Sequence, residues 1–249
     1  MLNRLLQLVL PETCAACGTN EPCAGGFCGR CSQELLPLAA TSYCPRCGTT
    51  LGPNLAARPD GCNACPTVAF RFARLVRVAP YAGPVRKAIL RLKYSPHPMH
   101  MPVLANLLTQ AAAARLPRDE HDLVLGVPMH WWRRFRRGRD HAALLAAALA
   151  KGLDLPCGDD LIRLRDTTPQ ARLSASRRAE NIRHAFGIRR GRRVEGLRVI
   201  LVDDVTTTGA TANEAARTLL LAGAAQVTLA VVAKADPPTA YSEQLRAAT

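Results

Sequence analysis

The sequence predicts an α/β protein, a mostly parallel sheet flanked by helices and preceded by a small cysteine-rich module. Two observations support this prediction. From about residue 70 to residue 232, strand-like and helix-like apolar segments alternate, as in parallel sheets joined by crossover helices. Before that point, eight of the ten cysteines form CxxC pairs in a stretch rich in glycine and proline. We therefore expect two units, residues 1–68 and 69–249.

Each element of the second unit follows from its own pattern. Phe72–Ala79 alternates as a strand does, and Pro84–Leu92 has a helical period with proline in its first turn. The arginine-rich stretch Ile162–Arg193 is expected to be either a functional loop with a short hairpin or solvated surface. The other predicted elements are the helix Val103–Ala114, the strand Leu123–Pro128, the helix His141–Lys151, the strand Arg198–Val202, the helix Ala212–Ala222 and the strand Val227–Val232.

Charge predicts the class of partner. The chain has 33 basic and 19 acidic residues, a net charge of +14, which favours a polyanion such as phosphate, nucleic acid or an anionic membrane surface. Arg133–Arg193 alone holds 16 basic and six acidic residues. Met1–Leu10 is apolar but is shorter than the roughly 20 residues of a membrane span, so we interpret it as a packed or docking helix. We expect a soluble, cytoplasmic protein without a membrane span.

The CxxC pairs predict metal centres. A CxxC turn presents two thiolates to one ion, and two such turns complete a structural zinc site, so the four pairs predict two zinc ions. A redox-active CxxC would need one motif at a strand-to-helix turn, which is not the pattern here. The spacing fits both sequential and cross-braced pairing, and Cys23 and Cys157 are given no role. The predicted ligands are Cys14, Cys17, Cys28, Cys31, Cys44, Cys47, Cys62 and Cys65.

The run from Val199 to Thr211 carries the most chemical information. An apolar strand leads to Asp203 and Asp204, then to a small threonine-rich loop, then to a helix. Such a loop surrounds a phosphate with backbone N–H groups and hydroxyls, and the helix dipole adds positive potential. The two acids can accept hydrogen bonds from the vicinal hydroxyls of a ribose and are the candidate catalytic residues. The expected phosphate ligands are Thr207, Thr208, Gly209, Ala210 and Thr211.

A second anion-binding loop is expected after the strand that begins at Leu123. Several arginines, among them Arg133 and Arg137, follow this strand. A planar guanidinium group can bind two phosphate oxygens at once, so these arginines suit either pyrophosphate or a nucleic-acid backbone, and a solvated basic face is the alternative. Trp131 and Trp132 lie among the arginines, an arrangement that suits stacked single-stranded bases, although either ring could instead anchor the loop in the core. The expected pyrophosphate or anion ligands are Lys93, Pro128, Met129, His130, Arg133 and Arg137.

The run from Val199 to Thr211 resembles the signature of type I phosphoribosyltransferases, which bind phosphoribosyl pyrophosphate (PRPP) with magnesium. With cysteine pairs ahead of it, the chain resembles the ComF family over essentially its full length. In place of the family's usual Asn-Gln pair, this chain has Asp140 and His141. The other segments that carry the resemblance are Tyr81-Ala-Gly-Pro, Leu92-Lys93-Tyr94, Val127-Pro-Met-His130, Arg137-Gly138, and the series Gln170, Leu173, Arg178, Asn181, Ala185 and Phe186.

The resemblance implies a zinc-bearing module, a phosphoribosyltransferase fold, and a part in handling incoming single-stranded DNA together with proteins of the competence machinery. A lid contributing Gln170, Arg178 and Asn181 would close over the site. No residue identifies an acceptor, so binding and turnover are separate hypotheses. The first is a protein that binds PRPP or ribose 5-phosphate, with Mg²⁺, and single-stranded DNA in natural transformation. The alternatives are an active phosphoribosyltransferase of nucleotide metabolism and a PRPP-sensing regulator.

Overall fold

The structure, a computed structural model, describes residues 13–52, 57–58, 61–65, 70–94, 100–129, 140–165 and 182–236. Among these residues, no helix combines the length and the apolar character that crossing a bilayer requires. The predicted helix Met1–Leu10 lies outside the described residues.

The cysteine-rich part contains short hairpins and one helix. Glycines with positive φ, such as Gly18 and Gly48, follow the first and third CxxC pairs and let the backbone turn tightly behind the sulfur atoms. The elements are the strands β1 (Cys23–Ala24) and β2 (Phe27–Cys28), the helix α1 (Gly29–Ala39), and the strands β3 (Ala57–Arg58) and β4 (Gly61–Cys62).

The remaining elements build the predicted α/β unit, and they alternate in the expected order. Those of the described residues are β5 (Arg74–Pro80), α2 (Gly83–Tyr94), α3 (Met101–Ala113), a 3-10 turn (Arg118–Glu120), β6 (Leu123–Gly126), α4 (His141–Leu153), β7 (Cys157–Gly158), β8 (Leu161–Arg163), β9 (Phe186–Ile188), β10 (Arg198–Thr206), α5 (Ala210–Leu221) and β11 (Gln226–Lys234).

A five-stranded parallel sheet in the order β5, β11, β10, β6, β7 forms the centre of this unit. Helices cover both faces of the sheet. Since successive residues of a strand point to opposite sides, each strand contributes to the cores on both faces. Ile200 belongs to a core with apolar residues of α2, α3 and α4, whereas Leu201 belongs to a second core with those of α5 and the start of β9. Apolar runs such as the one in β10 are therefore explained by burial on both faces.

Strand β10 is longer than the sequence predicts. It continues through both acids to Thr206, which is in register with Lys234 of β11. The extension depends on β11, which is itself longer than predicted and keeps pairing beyond the end of β6. The acids are thus held in the sheet and do not belong to the loop that follows.

The cysteine-rich part packs along β5, an edge strand of the sheet. The N–H of Leu75 donates to the carbonyl of Pro45 at 2.7 Å, and the N–H of Arg77 donates to the hydroxyl of Tyr43 at 3.4 Å. Leu75 and Arg77 are two residues apart in the strand, so their N–H groups point to the same side, away from β11. The cysteine-rich residues supply the hydrogen-bond acceptors that a further strand would otherwise provide.

A buried polar network joins the same two parts of the chain. The Arg77 and Asp236 side chains are 1% and 2% exposed, and Nη1 of Arg77 lies 3.6 Å from Oδ1 of Asp236. The hydroxyl of Thr50 accepts from Nη2 of Arg77 at 2.7 Å and donates to Oδ2 of Asp236 at 2.5 Å. The backbone N–H of Thr50 donates to the same carboxylate at 3.0 Å. Burial requires such pairing, so the network fixes the two parts together.

Candidate functional site

A cavity of about 260 Å³ lies at the carboxyl ends of β6 and β10. Ligands of open α/β sheets bind at this end of the strands. The cavity contains residues from the loop that follows β6 and from the ends of three helices, α2, α4 and α5, with Thr211 as the one lining residue of the predicted phosphate loop. Its lining residues are Lys93, Val127, Pro128, Met129, Asp140, His141, Ala142, Arg163, Asp203, Asp204 and Thr211.

The acid pair lies in β10 at the floor of this cavity. Oδ1 of Asp203 accepts the N–H of Asp204 at 2.8 Å, and Oδ1 of Asp204 accepts the N–H of Val205 at 2.7 Å. Burial, together with the negative charge of Asp204, raises the pKa of Asp203 to about 8. At neutral pH the Asp203 carboxyl is therefore mostly protonated, and it can donate as well as accept a hydrogen bond.

Lys93, near the end of α2, binds the second acid directly. Its Nζ lies 2.6 Å from Oδ2 of Asp204, and both side chains are largely buried. Burial acts to lower the pKa of Lys93, but the charges of Asp204 and Asp203 outweigh it, and the net pKa is raised. The lysine therefore stays charged and compensates the acid pair. The sequence predicts Lys93 as an anion ligand, and in the structure its partner is a carboxylate.

The predicted phosphate loop follows the acid pair. Residues 207–209 connect β10 to α5, with Thr207 and Thr208 exposed and Gly209 buried. Gly209 is the N-cap of α5 and has a φ of 78°, which disfavours residues with a side chain. The N–H groups of the first turn of a helix have no intrahelical acceptor, and the first helical bond here runs from Asn213 to Gly209 at 2.8 Å. This end of α5 reaches the cavity through Thr211.

Asp140 joins two elements of the cavity lining. It is the N-cap of α4, and its Oδ1 accepts the N–H of Ala143 at 3.2 Å. Its Oδ2 accepts the N–H of Met129 at 3.3 Å, so one carboxylate joins α4 to the loop that follows β6. His141 begins α4, is buried, and lines the cavity beside the acids. The departure from the family pattern at these two positions therefore falls within the site.

The hairpin of β8 and β9 forms a further side of the cavity through Arg163, whose guanidinium lies 5.5 Å from the centre of the Phe186 ring. The segment that leads into β9 is hydrogen-bonded to α5. The buried carboxylate of Glu214 accepts the N–H of His184 at 2.7 Å and binds Arg217 at 2.8 Å. The helix that follows the phosphate loop thus also binds the backbone of His184, three residues after the predicted lid residue Asn181.

Several predicted residues cannot be located. These are the anion ligands His130, Arg133 and Arg137 and the lid residues Gln170, Arg178 and Asn181, together with Trp131 and Trp132, and all of them lie outside the described residues.

The cysteines form two clusters, as predicted. In each cluster the four sulfur atoms lie within 4.8 Å of one another. Tetrahedral zinc with Zn–S bonds of about 2.3 Å places neighbouring sulfurs about 3.8 Å apart. The Sγ atoms of Cys17 and Cys28 are 3.7 Å apart, and those of Cys44 and Cys65 are 3.8 Å apart. The sulfur arrangement therefore fits zinc.

The pairing of the CxxC motifs is sequential. The first cluster joins Cys14 and Cys17 to Cys28 and Cys31, and the second joins Cys44 and Cys47 to Cys62 and Cys65. The chain therefore has two zinc-binding sites of four cysteines each. Neither Cys23 nor Cys157 belongs to a cluster.

Comparison with known proteins agrees with this architecture. The family model of the double zinc ribbon domain matches residues 5–67, and that of the phosphoribosyl transferase domain matches residues 139–245. The chain is 34% identical over 230 residues to the DNA utilization protein YhgH of Salmonella typhi, covering 88% of this chain and 96% of that protein. It is 30% identical over 230 residues to Competence protein F of Haemophilus influenzae, covering 89% and 96%.

Among solved structures, the allosteric regulatory enzyme of purine biosynthesis is 26% identical to the chain, with a TM-score of 0.40. That match covers 57% of this chain and 29% of the enzyme. The site and the sheet define a protein of the type I phosphoribosyltransferase fold with an N-terminal double zinc ribbon. The chain belongs to the ComF family, which includes the YhgH proteins.

Three polar residues of the cavity were not among the predicted site residues, namely Asp140, His141 and Arg163. The first two stand out in the sequence only as a departure from the family pattern, which gives them no position. Arg163 is one of many arginines in its stretch, and only the pairing of β8 with β9 places it at the cavity.

Proposed function

We propose that the cavity binds PRPP or ribose 5-phosphate, with Mg²⁺, and that the protein also binds single-stranded DNA in natural transformation. One observation carries the first part of the proposal. The acid pair Asp203 and Asp204 and the first turn of α5, through Thr211, line the same cavity. A sugar phosphate has a diol at one end and an anion at the other, and these two groups match the two sides of the cavity.

The chemistry of each side supports this assignment. N–H groups and hydroxyls at the N-terminus of a 12-residue helix favour a dianionic phosphate. Carboxyl oxygens accept hydrogen bonds from the ribose hydroxyls, and the protonated carboxyl of Asp203 can donate one in return. Lys93 binds Asp204 and so limits the negative charge of the acid pair. We propose Thr207, Thr208, Gly209, Ala210 and Thr211 as the phosphate ligands.

Magnesium is proposed as a companion of the pyrophosphate group. Asp203 and Asp204 line the same cavity, and we assign their carboxyl oxygens to the ribose hydroxyls. When bound, Mg²⁺ would neutralise negative charge on the pyrophosphate oxygens. The protein's own contribution is to hold the phosphate and the diol in place and to exclude water from the anomeric carbon.

The second part of the proposal rests on charge. The chain carries a net charge of +14, and the arginines between β9 and β10 are exposed. Only two of them pair with an acid in the described part of the chain, since Arg189 and Arg192 both bind Asp159 at 3.2 Å. Arg190 and Arg193 are exposed beside that pair. Such a surface attracts a nucleic-acid backbone.

The names of two relatives support the cellular role. One is a DNA utilization protein and the other is a competence protein, and both match nearly the whole of this chain. We propose that this protein acts in the cytoplasm, in DNA uptake and processing together with other proteins of the competence machinery. We further propose residues 1–68 as the zinc module and residues 69–249 as the ligand-binding unit.

The deciding experiment is calorimetric titration of PRPP with Mg²⁺ into the zinc-loaded full chain. We expect binding in the wild type, loss of binding in Asp204→Asn, and unchanged binding in Glu34→Gln, an exposed acid paired only with Arg30 among the described residues. Equal affinity in the wild type and in Asp204→Asn would contradict the proposed site. Release of pyrophosphate that depends on an added acceptor, with the phosphoribosyl group recovered on that acceptor, would add turnover to binding and would identify the protein as an active transferase.

Single-stranded DNA binding is tested separately by fluorescence anisotropy with a labelled oligonucleotide. We expect affinity to fall with salt, with a slope of about −0.7 per phosphate contact, and to be weaker in the double variant Arg190→Ala, Arg193→Ala. Arg30→Ala, which removes an exposed arginine of the zinc module, is the matched control. Salt-independent binding or no binding at all would overturn this part. Partner affinity that changes with PRPP would instead favour a sensing role.

A further inference from the structure

The zinc module and the candidate phosphate loop are linked by a short segment of backbone. Residues 70–73 lead from the cysteine-rich part into β5, and they contact both the second zinc cluster and α5. These contacts involve the side chain of Arg46 on one side and those of Phe70 and Asn213 on the other. Together they form a continuous path from a metal centre to the loop proposed to hold phosphate.

Arg46 holds the segment from the side of the zinc module. Its Nη1 donates to the carbonyls of Phe72 at 2.7 Å and Ala73 at 2.8 Å, and its Nη2 donates to the carbonyl of Phe70 at 2.8 Å. One guanidinium therefore satisfies three carbonyls of four consecutive residues. Lysine cannot reproduce this pattern, because its ammonium group has no planar fork of donors.

The backbone of Arg46 is itself set by the second cluster. Arg46 lies between Cys44 and Cys47, whose sulfur atoms belong to that cluster. The turn is closed by the N–H of Gly48, which donates to the carbonyl of Cys44 at 2.8 Å. A zinc ion bound by both sulfurs would fix the two ends of this turn, and with them the base of the Arg46 side chain.

On the other side, the segment contacts the phosphate loop. A Cβ atom added to Gly209 would lie 2.8 Å from Cε1 of Phe70, so the phenyl ring packs directly against the N-cap of α5. The Phe70 ring is stacked on Phe72 with centroids 4.6 Å apart. One turn into α5, Oδ1 of Asn213 accepts the N–H of Arg71 at 2.5 Å. The ring and the amide together hold the loop and the first turn of α5.

We propose that Arg46 is a positioning residue for the phosphate loop, acting through residues 70–73, and that the second zinc site supports the ligand site through this path. This inference rests on the proposed binding of a sugar phosphate. It goes further by assigning a role in ligand binding to a zinc-module side chain that touches no ligand. A displacement of the loop by a fraction of an ångström weakens a phosphate cradle, because its hydrogen bonds depend on distance and direction.

The first test compares Arg46→Ala and Arg46→Lys with the wild type and with Arg30→Ala, using calorimetric titration of ribose 5-phosphate. We expect both Arg46 variants to keep two zinc ions per chain and to bind ribose 5-phosphate about tenfold more weakly. Arg30→Ala should bind like the wild type. If Arg46→Lys binds ribose 5-phosphate as tightly as the wild type, a positive charge at this position is sufficient and the planar set of donors is not needed. The proposal would then be wrong. Unchanged affinity in Arg46→Ala would overturn it equally.

Hydrogen exchange separates this inference from the proposed function. Even in a chain that binds no sugar phosphate, Arg46→Ala should speed the exchange of the amides of residues 209–213, while amides in the centre of β10 stay protected. Exchange that is equal in the variant and the wild type would refute the positioning role. Failure of the wild type to bind any ribose phosphate, with faster exchange in the variant, would refute only the ligand assignment.

The two zinc sites provide a matched comparison. Cys17→Ser and Cys65→Ser each remove the most exposed ligand of one cluster. We expect each variant to lose one zinc ion, measured by a chromogenic chelator, and only Cys65→Ser to accelerate exchange at residues 209–213. Equal exchange in the two variants would contradict the proposed path from the second site.

Discussion

The ammonium of Lys93 and the carboxylate of Asp204 form an ion pair of 2.6 Å between the last turn of α2 and the interior of β10. The Lys93 and Asp204 side chains are 23% and 15% exposed, so each charge is compensated mainly by the other. Asp203 lies beside it, and its pKa is raised to about 8 mainly by burial and then by the charge of Asp204. Asp203 and Lys93 are therefore coupled through their charges, and a change in one alters the pKa of the other.

Lys93→Met should weaken ribose 5-phosphate binding at pH 7 by about tenfold, since Asp204 loses its charged hydrogen bond and is left in the cavity without a counter-charge. Lys93 lowers the pKa of Asp203, so its removal should raise that pKa further and extend to higher pH the range in which Asp203 keeps the proton that it donates to the ribose. Titrations at several pH values measure both effects. Lys87→Met changes an exposed residue of the same helix and is the control. An equal loss of ribose 5-phosphate binding in that variant would contradict a specific role of Lys93.

Stability should fall as pH rises through the titration of Asp203. Its folded-state pKa of about 8 lies above the ordinary 3.8, so the stability from its neutral form is complete below pH 3.8 and is lost as pH rises through about 8. Urea unfolding at pH 6 and pH 9 should show a larger loss in the wild type than in Asp203→Asn. Lys93 and Asp204 face the same carboxyl and His141 lines the same cavity, so the comparison of the two proteins isolates Asp203.

Asp236→Asn should destabilise the fold by about 3–5 kcal/mol, because it leaves the buried Arg77 guanidinium without its counter-charge. The variant also weakens both hydrogen bonds that Asp236 accepts from Thr50. Urea unfolding measures the change. Asp159→Asn removes the two ion pairs with Arg189 and Arg192, whose shared acid is 60% exposed, and it should alter stability by less than about 1 kcal/mol. Similar effects in the two variants would show that burial of the Arg77 pair is not decisive.

Gly209→Ala should weaken ribose 5-phosphate binding, and Gly191→Ala should not. Both glycines have positive φ, 78° and 81°, so both variants carry a similar backbone strain of about 1–2 kcal/mol. Only Gly209 has a neighbour in the path of the new methyl group, the Phe70 ring, whereas nothing lies within 4 Å at Gly191. Titration of the two variants separates contact from strain. A loss of affinity shared by both would assign the effect to strain alone.

Much of the architecture was predictable because local patterns and global packing agree. Apolar runs identify β10 and β11, and helical periods identify α2 to α5 within a few residues. β7 escaped prediction, since a two-residue strand has no periodicity and exists through its pairing with β6. The eight zinc ligands were predicted correctly, but their spacing fits two pairings, and only the three-dimensional arrangement showed that the pairs combine in sequence.

The candidate site was predictable where one continuous segment carries it. The strand, the two acids and the threonine loop follow one another within Val199–Thr211, so one continuous segment contains the whole pattern. Asp140 and Arg163 come from distant segments, and nothing in their neighbours along the chain points to a shared cavity. Arg46 reads in the sequence as an ordinary residue of a CxxC turn, because its three acceptors lie more than 20 residues away.

The hydrogen bonds from Leu75 to Pro45 and from Arg77 to Tyr43 have a consequence for the behaviour of the chain in the cell. An edge strand with open N–H groups invites pairing with another molecule, which is a common beginning of aggregation. The zinc module occupies those groups and so protects the sheet from intermolecular strand addition. Newly made chains that have not yet acquired zinc would expose this edge, which makes metal supply a condition of keeping the protein monodisperse as it is synthesised.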